Sequence, residues 1–141
     1  MQAGPSTVAM LGQAYSLLGF RIVEGVVGAG YPHKPKHSAV FAQISLDGSR
    51  LTDLAQRAGM TPQSMAEIVG ELVELGYVVR RPDPADRRAK LIVLTRRGRD
   101  AVAAGRQTVE GLEERVTEIL GERGHRDLRR LLARLLAAET G

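Results

Sequence analysis

Residues 51–98 read LTDLAQRAGMTPQSMAEIVGELVELGYVVRRPDPADRRAKLIVLTRRG, and this stretch decides the fold. Thr52 stands where it could cap a helix running through Leu54, Ala55 and Ala58. Gly59 falls where the end of that helix needs a left-handed residue. One residue further, Thr61 is placed to cap a second helix, with Pro62 at its favoured first position. The apolar spacing of Met65, Ile68, Val69 and Leu72 carries this helix to about Leu75, and Gly76 stops it. Two helices joined by so tight a turn, with glycine at the corner, read as a helix-turn-helix. The pattern then becomes β-prone at residues 77–81 and again at 90–94. A charged turn is expected over residues 82–89, making the two strands a β-hairpin, or wing.

On the N-terminal side, Val8, Leu11, Tyr15, Leu18, Ile22 and Val26 recur at three- and four-residue steps and give one helix an apolar face. Gly12, Gly19, Gly25 and Gly28 weaken that helix or admit close packing. A loop with Pro32 and Pro35 follows. A shorter helix is expected over residues 36–46, with Val40, Phe41 and Ile44 inward and Asp47-Gly48 as its end. On the C-terminal side, Thr95 can cap a long helix starting near Arg96. Val102, Gly105, Val109, Leu112, Val116 and Ile119 follow heptad spacing, suited to packing on another helix. Gly121 and Gly124 are expected to break it, with His125 capping or preceding a last helix that carries Leu128, Leu131, Leu132, Leu135 and Leu136 on one side. The fold class is mainly α with a small β-hairpin wing (α+β), on a chain whose 141 residues suit one domain.

Composition removes several function classes. There is no cysteine, hence no disulfide, thiolate metal site or cysteine-based redox sensor. No apolar run is long enough for a membrane span, and the first thirty residues lack a secretory pattern, so a cytoplasmic protein is expected. His33 and His37 are separated by cations and lack further ligands, so no metal is expected. No nucleophile–base set, phosphate-cradling glycine motif or carboxylate pair stands out, so neither an enzyme nor a cofactor is expected. The charge is uneven. Residues 80–99 hold eight basic side chains against Asp83 and Asp86, a local excess of +6 in a chain whose total is +4. Such a patch is the footprint of a polyanion, or else a solvated basic face.

With its core set inward, the second helix of the pair turns Gln63, Ser64, Glu67, Gly70 and Glu71 outward. Its N-terminus, beginning at Thr61, attracts phosphate. Recognition helices enter the major groove by that end, where Gln63 suits adenine and Ser64 a base or phosphate. Arg87 or Arg88 could enter a minor groove from the wing, with Asp86 orienting one of them by a charge-assisted pair. Arg80, Arg81 and Lys90, with Arg96 and Arg97, could contact phosphates. Each feature also has a plainer reading, a polar outer face or an exposed salt bridge; their contiguity favours DNA.

Asp86-x-Arg88, five residues, then Leu94-Thr95 with Gly98 beyond, and the preceding Gly76-Tyr77-Val78-x-Arg80, resemble the winged helix-turn-helix of the MarR (multiple antibiotic resistance regulator) family. The resemblance implies a transcription regulator, expected to be a repressor, binding a double-stranded, pseudo-palindromic operator as a homodimer, nucleoid-associated when bound. Residues 1–30 and 100–141 would form dimerisation helices around a DNA-binding lobe at 36–98. It further implies Gln63, Ser64 and their neighbours in the major groove and Arg88 in the minor groove. A small aromatic or hydrophobic effector would sit near Tyr15, His37, Phe41 and Val102. The rival is a winged helix used for protein assembly without DNA.

Overall fold

The computed structural model describes residues 3–140. The chain forms two compact units that divide between Arg106 and Gln107. In the first, helix α1 (Thr7–Gly28) starts where the Ser6 hydroxyl accepts the Ala9 N–H at 3.1 Å. Its apolar row is buried only toward the C-terminal end. Val26 is buried and Leu18 and Ile22 are half-buried, while Val8, Leu11 and Tyr15 are exposed.

The helix expected over residues 36–46 is much shorter. A single 3-10 turn (Pro35–His37) leads into α2 (Ser38–Phe41), and the helix stops there. Leu46 is 77% exposed, so a longer helix would have no apolar contact to hold its last turn. The chain instead turns: the Ser45 N–H donates to Ser49 Oγ at 3.0 Å and Gly48 adopts φ +98°. It then enters a strand that the sequence did not suggest, β1 (Ser49–Arg50).

Helix α3 (Leu51–Arg57) begins at once, because strand pairing keeps the backbone extended up to Arg50. Thr52 therefore lies inside the first turn and caps nothing; Arg50 occupies the cap position and makes no side-chain cap bond. The corner is as expected. Gly59 has φ +66° and the Met60 N–H closes on Ala55 O at 2.8 Å. Thr61 then caps α4 (Pro62–Glu74), which buries Met65, Ile68, Val69 and Leu72.

Strands β2 (Val78–Asp83) and β3 (Asp86–Leu94) complete an antiparallel sheet in the order β1-β3-β2. The turn is only Pro84-Ala85, shorter than the expected 82–89, so Asp86, Arg87 and Arg88 belong to β3. The ladder runs regularly to Pro82 opposite Lys90, then shifts so that Asp83 faces Asp86, and a bulge takes up residues 87–89.

Helix α5 (Arg96–Thr140) is capped by Thr95, whose hydroxyl accepts the Gly98 N–H at 3.0 Å and donates to Gly76 O at 2.6 Å. Only glycine fits at 98: a Cβ there would lie 1.9 Å from the Tyr77 carbonyl oxygen. The core of this first unit joins Val40, Leu54, Ala55, Met65, Ile68, Val69, Leu72, Tyr77, Val78, Ile92, Leu94 and Ala101. Each large side chain buried there contributes about 1.5–3 kcal/mol. In the second unit, Gly121 (φ 76°, ψ 164°) kinks α5, whereas Gly124 stays helical. His125 caps no helix; it lies inside α5, 2.8 Å from Thr117 Oγ1 and 3.1 Å from Glu113. Among the described residues no helix is long and apolar enough to cross a membrane.

Candidate nucleic-acid interface

Two surfaces of the first unit carry the residues singled out by sequence. One is the start of α4. Thr61 Oγ1 accepts the Ser64 N–H at 3.1 Å and donates to Ser64 Oγ at 3.0 Å. This cap satisfies the Ser64 amide; Pro62 has none, and the Gln63 amide is left without an acceptor inside the helix. Gln63, Ser64 and Glu67 are all exposed there. No acidic side chain occupies the first turn, so the positive end of the helix is not neutralised.

The other surface is the hairpin. Arg80, Arg81, Arg87, Arg88 and Lys90 are all exposed, and among the described residues none forms an ion pair. Asp86 does not hold either neighbouring guanidinium, contrary to expectation. Its Oδ1 accepts the Arg88 N–H at 2.9 Å, because a short acidic side chain reaches the amide two residues on before it reaches a guanidinium. Asp83 repeats the motif on the Ala85 N–H at 2.9 Å. It is buried, and Arg50 also reaches it, with Nη2 2.7 Å from Oδ2. These two contacts, the Ala85 amide first, hold the Asp83 carboxyl below the usual range. Both acids of the wing are thus engaged internally while its cations stay free. The expected phosphate role is less open to Arg97, which donates to Leu75 O at 3.1 Å and lies over the rings of Tyr77 (5.1 Å) and Tyr31 (5.9 Å).

Glu71 departs from the outer-face reading of α4. It turns back to residues 36 and 37: Lys36 Nζ lies 2.6 Å from Oε1 and His37 Nε2 2.8 Å from Oε2. The Lys34 N–H donates to His37 Nδ1, which leaves Nε2 to donate to Glu71. The Lys36 bond, then the His37 bond, pull the Glu71 carboxyl to about 2. Glu71 therefore fixes α4 to the chain ahead of it and is unavailable to a base. Sequence alone gave no sign of these long-range pairs; the Asp83 turn bond could have been read from an Asp two residues ahead of a turn amide.

The four residues proposed for an effector do not share one setting. His37 is buried, Phe41 stacks on His33 at 5.3 Å and meets Tyr77 edge-on at 5.6 Å, and Val102 packs on the core. Tyr15 is 80% exposed on α1. Among the described residues no three metal-ligating side chains converge.

Known proteins share this arrangement. The sequence model of the MarR family matches residues 34–89, the span from the 3-10 turn to the wing bulge. An uncharacterized helix-turn-helix transcriptional regulator of Mycobacterium bovis is 33% identical over 102 residues, covering 64% of this chain and 70% of that protein. The transcriptional repressor CouR, solved bound to a 23-mer DNA duplex, superposes with a TM-score of 0.66 at 27% identity over 100% of both chains. CouR of Rhodococcus jostii, solved with p-coumaroyl-CoA, gives 0.74 at 25% identity over 94% and 93% of the two chains. Matched through its helix-turn-helix and wing, and across most of the length of its mycobacterial relative, this chain belongs to the MarR family of transcriptional regulators.

Proposed function

We propose that the protein is a homodimeric repressor of a pseudo-palindromic double-stranded DNA operator. In this reading each protomer lays the start of α4 in the major groove and its hairpin along the adjacent minor groove. Half-sites would lie about 10 base pairs apart, one helical turn. The observation that carries the reading is the set of five exposed, unpaired cations on the hairpin, in a unit that also exposes a helix N-terminus with no acid in its first turn. Phosphate neutralisation by Arg80, Arg81 and Lys90 supplies affinity, and Gln63, Ser64 and Glu67 supply most of the sequence preference, on a helix end that Thr61 caps. Arg87 and Arg88 enter the minor groove, and Asp86 acts by fixing the Arg88 backbone. The protein acts in the cytoplasm, on the nucleoid. Dimerisation through residues 1–30 and 100–141 is supported by their exposed apolar side chains, Val8, Leu11, Ile119 and Leu136 among them.

The bound p-coumaroyl-CoA of CouR favours an added feature, relief by a small aromatic or hydrophobic effector. His37, Phe41 and Val102 are its contact candidates in the lobe and Tyr15 on α1.

The test is binding to genomic fragments at two salt concentrations, with Arg88→Ala alongside. The expected result is selective binding whose log affinity falls by about 0.9 per neutralised phosphate for each log unit of salt. Arg88→Ala should cost about 1–3 kcal/mol of that binding. A parent without fragment preference would instead favour a winged helix used for protein assembly.

A further inference from the structure

The exposed cations sit where the hairpin has least to hold it. The buried strand residues above the turn, Val78, Ile92 and Leu94, all lie at its base. From Arg80 outward on β2 the residues are exposed until Asp83, and β3 is exposed or half-buried from Asp86 to Leu91. A two-stranded ribbon without an apolar face is marginal in water. Its tip should therefore wander unless something other than packing restrains it.

The restraint is at Asp83. This carboxylate ends β2, and its side chain is only 8% exposed. Its Oδ1 accepts the Ala85 N–H, which shapes the turn. Its Oδ2 takes two donors from Arg50, Nε at 2.8 Å and Nη2 at 2.7 Å. Arg50 is doubly anchored. Its backbone pairs with Leu91 of β3, and it is the last extended residue before α3 opens the helix-turn-helix. One side chain thus joins the tip of the wing to the start of the helix pair that presents α4.

We propose that the Arg50–Asp83 ion pair is a strut that sets the reach of the wing, making Arg50 and Asp83 positioning residues for the DNA contacts of Arg87 and Arg88. The inference rests on the DNA-binding reading above. It assigns Arg50 a role through Asp83 and not through phosphate, although its side chain is 40% exposed. The two roles differ in sign at Asp83. If Arg50 were simply a phosphate contact, Asp83→Asn would free it and remove a negative charge, and binding would hold or tighten. If the pair is a strut, the same change lets the tip move and weakens binding, despite the more favourable charge.

The experiment measures affinity for the best genomic fragment of the parent, with melting temperature, for the full chain and for Asp83→Asn, Arg50→Lys, Arg88→Ala and Asp83→Asn/Arg88→Ala. Asn at 83 keeps an oxygen for the Ala85 amide, and Lys at 50 keeps the charge but loses the fork. The strut requires Asp83→Asn to weaken binding roughly tenfold, with Arg50→Lys between it and the parent. That loss should shrink in the Arg88→Ala background, because a misplaced wing costs less once one of its two minor-groove contacts is gone. If Asp83→Asn does not fold, Arg50→Lys with and without Arg88→Ala decides by the same coupling. Binding by Asp83→Asn equal to or tighter than the parent overturns the strut alone, as do losses that multiply fully with Arg88→Ala. A parent that selects no fragment overturns the DNA-binding reading and the strut with it.

Discussion

The winged lobe and the long helices draw on the same apolar residue types and put them to opposite use. In the lobe, Leu54, Met65, Leu72 and Tyr77 are fully buried. On the first half of α1, Val8 and Tyr15 are 79% and 80% exposed, and on the later part of α5, Ile119 and Leu136 are 64% and 63% exposed. A monomeric soluble protein rarely leaves so many large apolar side chains in water. The lobe closes its core within one chain. The long helices have apolar rows at regular spacing that their own chain does not cover. Burial, and not composition, separates the part whose apolar residues close a core from the part whose apolar rows stay exposed.

The largest effect that tests this contrast comes from glycine. Gly98→Ala would drive a Cβ into the Tyr77 carbonyl at 1.9 Å and pry the start of α5 from the hairpin. Backbone cannot yield as a flexible side chain would, so a loss of about 3 kcal/mol or more is expected in denaturant unfolding. Gly111→Ala, also in α5, meets nothing within 4 Å in its own chain. There the helix propensity of alanine should add up to about 1 kcal/mol. A loss at Gly111 comparable to that at Gly98 would mean that a second copy packs tightly on this position.

How far this contrast could be read from sequence depends on the range of the interactions involved. Gly59, Thr61 and Pro62 each act within a few residues, and the spacing of Met65, Ile68, Val69 and Leu72 is set by the pitch of one helix; all were legible. β1 was not, because Ser49 and Arg50 form a strand only by pairing with Ile92 and Leu91 some forty residues later. Thr52 looked like a cap for the same reason: the pairing that starts α3 two residues early leaves no local trace. At the candidate site, the exposed residues of α4 and the cations of the hairpin were legible from charge and periodicity. The partners of the acids were not. Asp86 and Asp83 chose backbone amides, and Arg50 and Glu71 found partners more than thirty residues away.

The apolar rows of the long helices give the next effect. Leu131 and Leu135 are one turn apart on α5 and are 50% and 46% exposed. Placing Asp at both should raise the dissociation constant of the proposed dimer by about 100-fold or more, since charge at the centre of an apolar interface must be desolvated. Sedimentation velocity over a dilution series reads this directly. Because neither side chain belongs to the lobe core, the fold of the lobe should survive in the dissociated protein. A variant that stays dimeric would place the partner surface elsewhere, and one that unfolds entirely would show that the lobe is not self-sufficient.

A smaller effect lies along the pH axis and belongs to the lobe alone. His33 is 9% exposed, stacked on Phe41, with Nε2 3.1 Å from Ser38 Oγ and no partner for its buried Nδ1 among the described residues. Burial, and then repulsion from His37, lower its pKa from 6.5 to about 4. Across that interval the unfolded chain binds a proton that the folded chain refuses, so stability rises with pH there. The His33 contribution is complete above pH 6.5, declines as pH falls toward about 4 and is flat below. Glu71, held at about 2, keeps its charge and its clasp on Lys36 and His37 through the whole window. Chemical denaturation of the parent from pH 7.5 to 4 should therefore show a loss that His33→Gln reduces. An unchanged slope in that variant would mean that acid does not act through His33, and the pH response would then not set the lobe apart from the long helices.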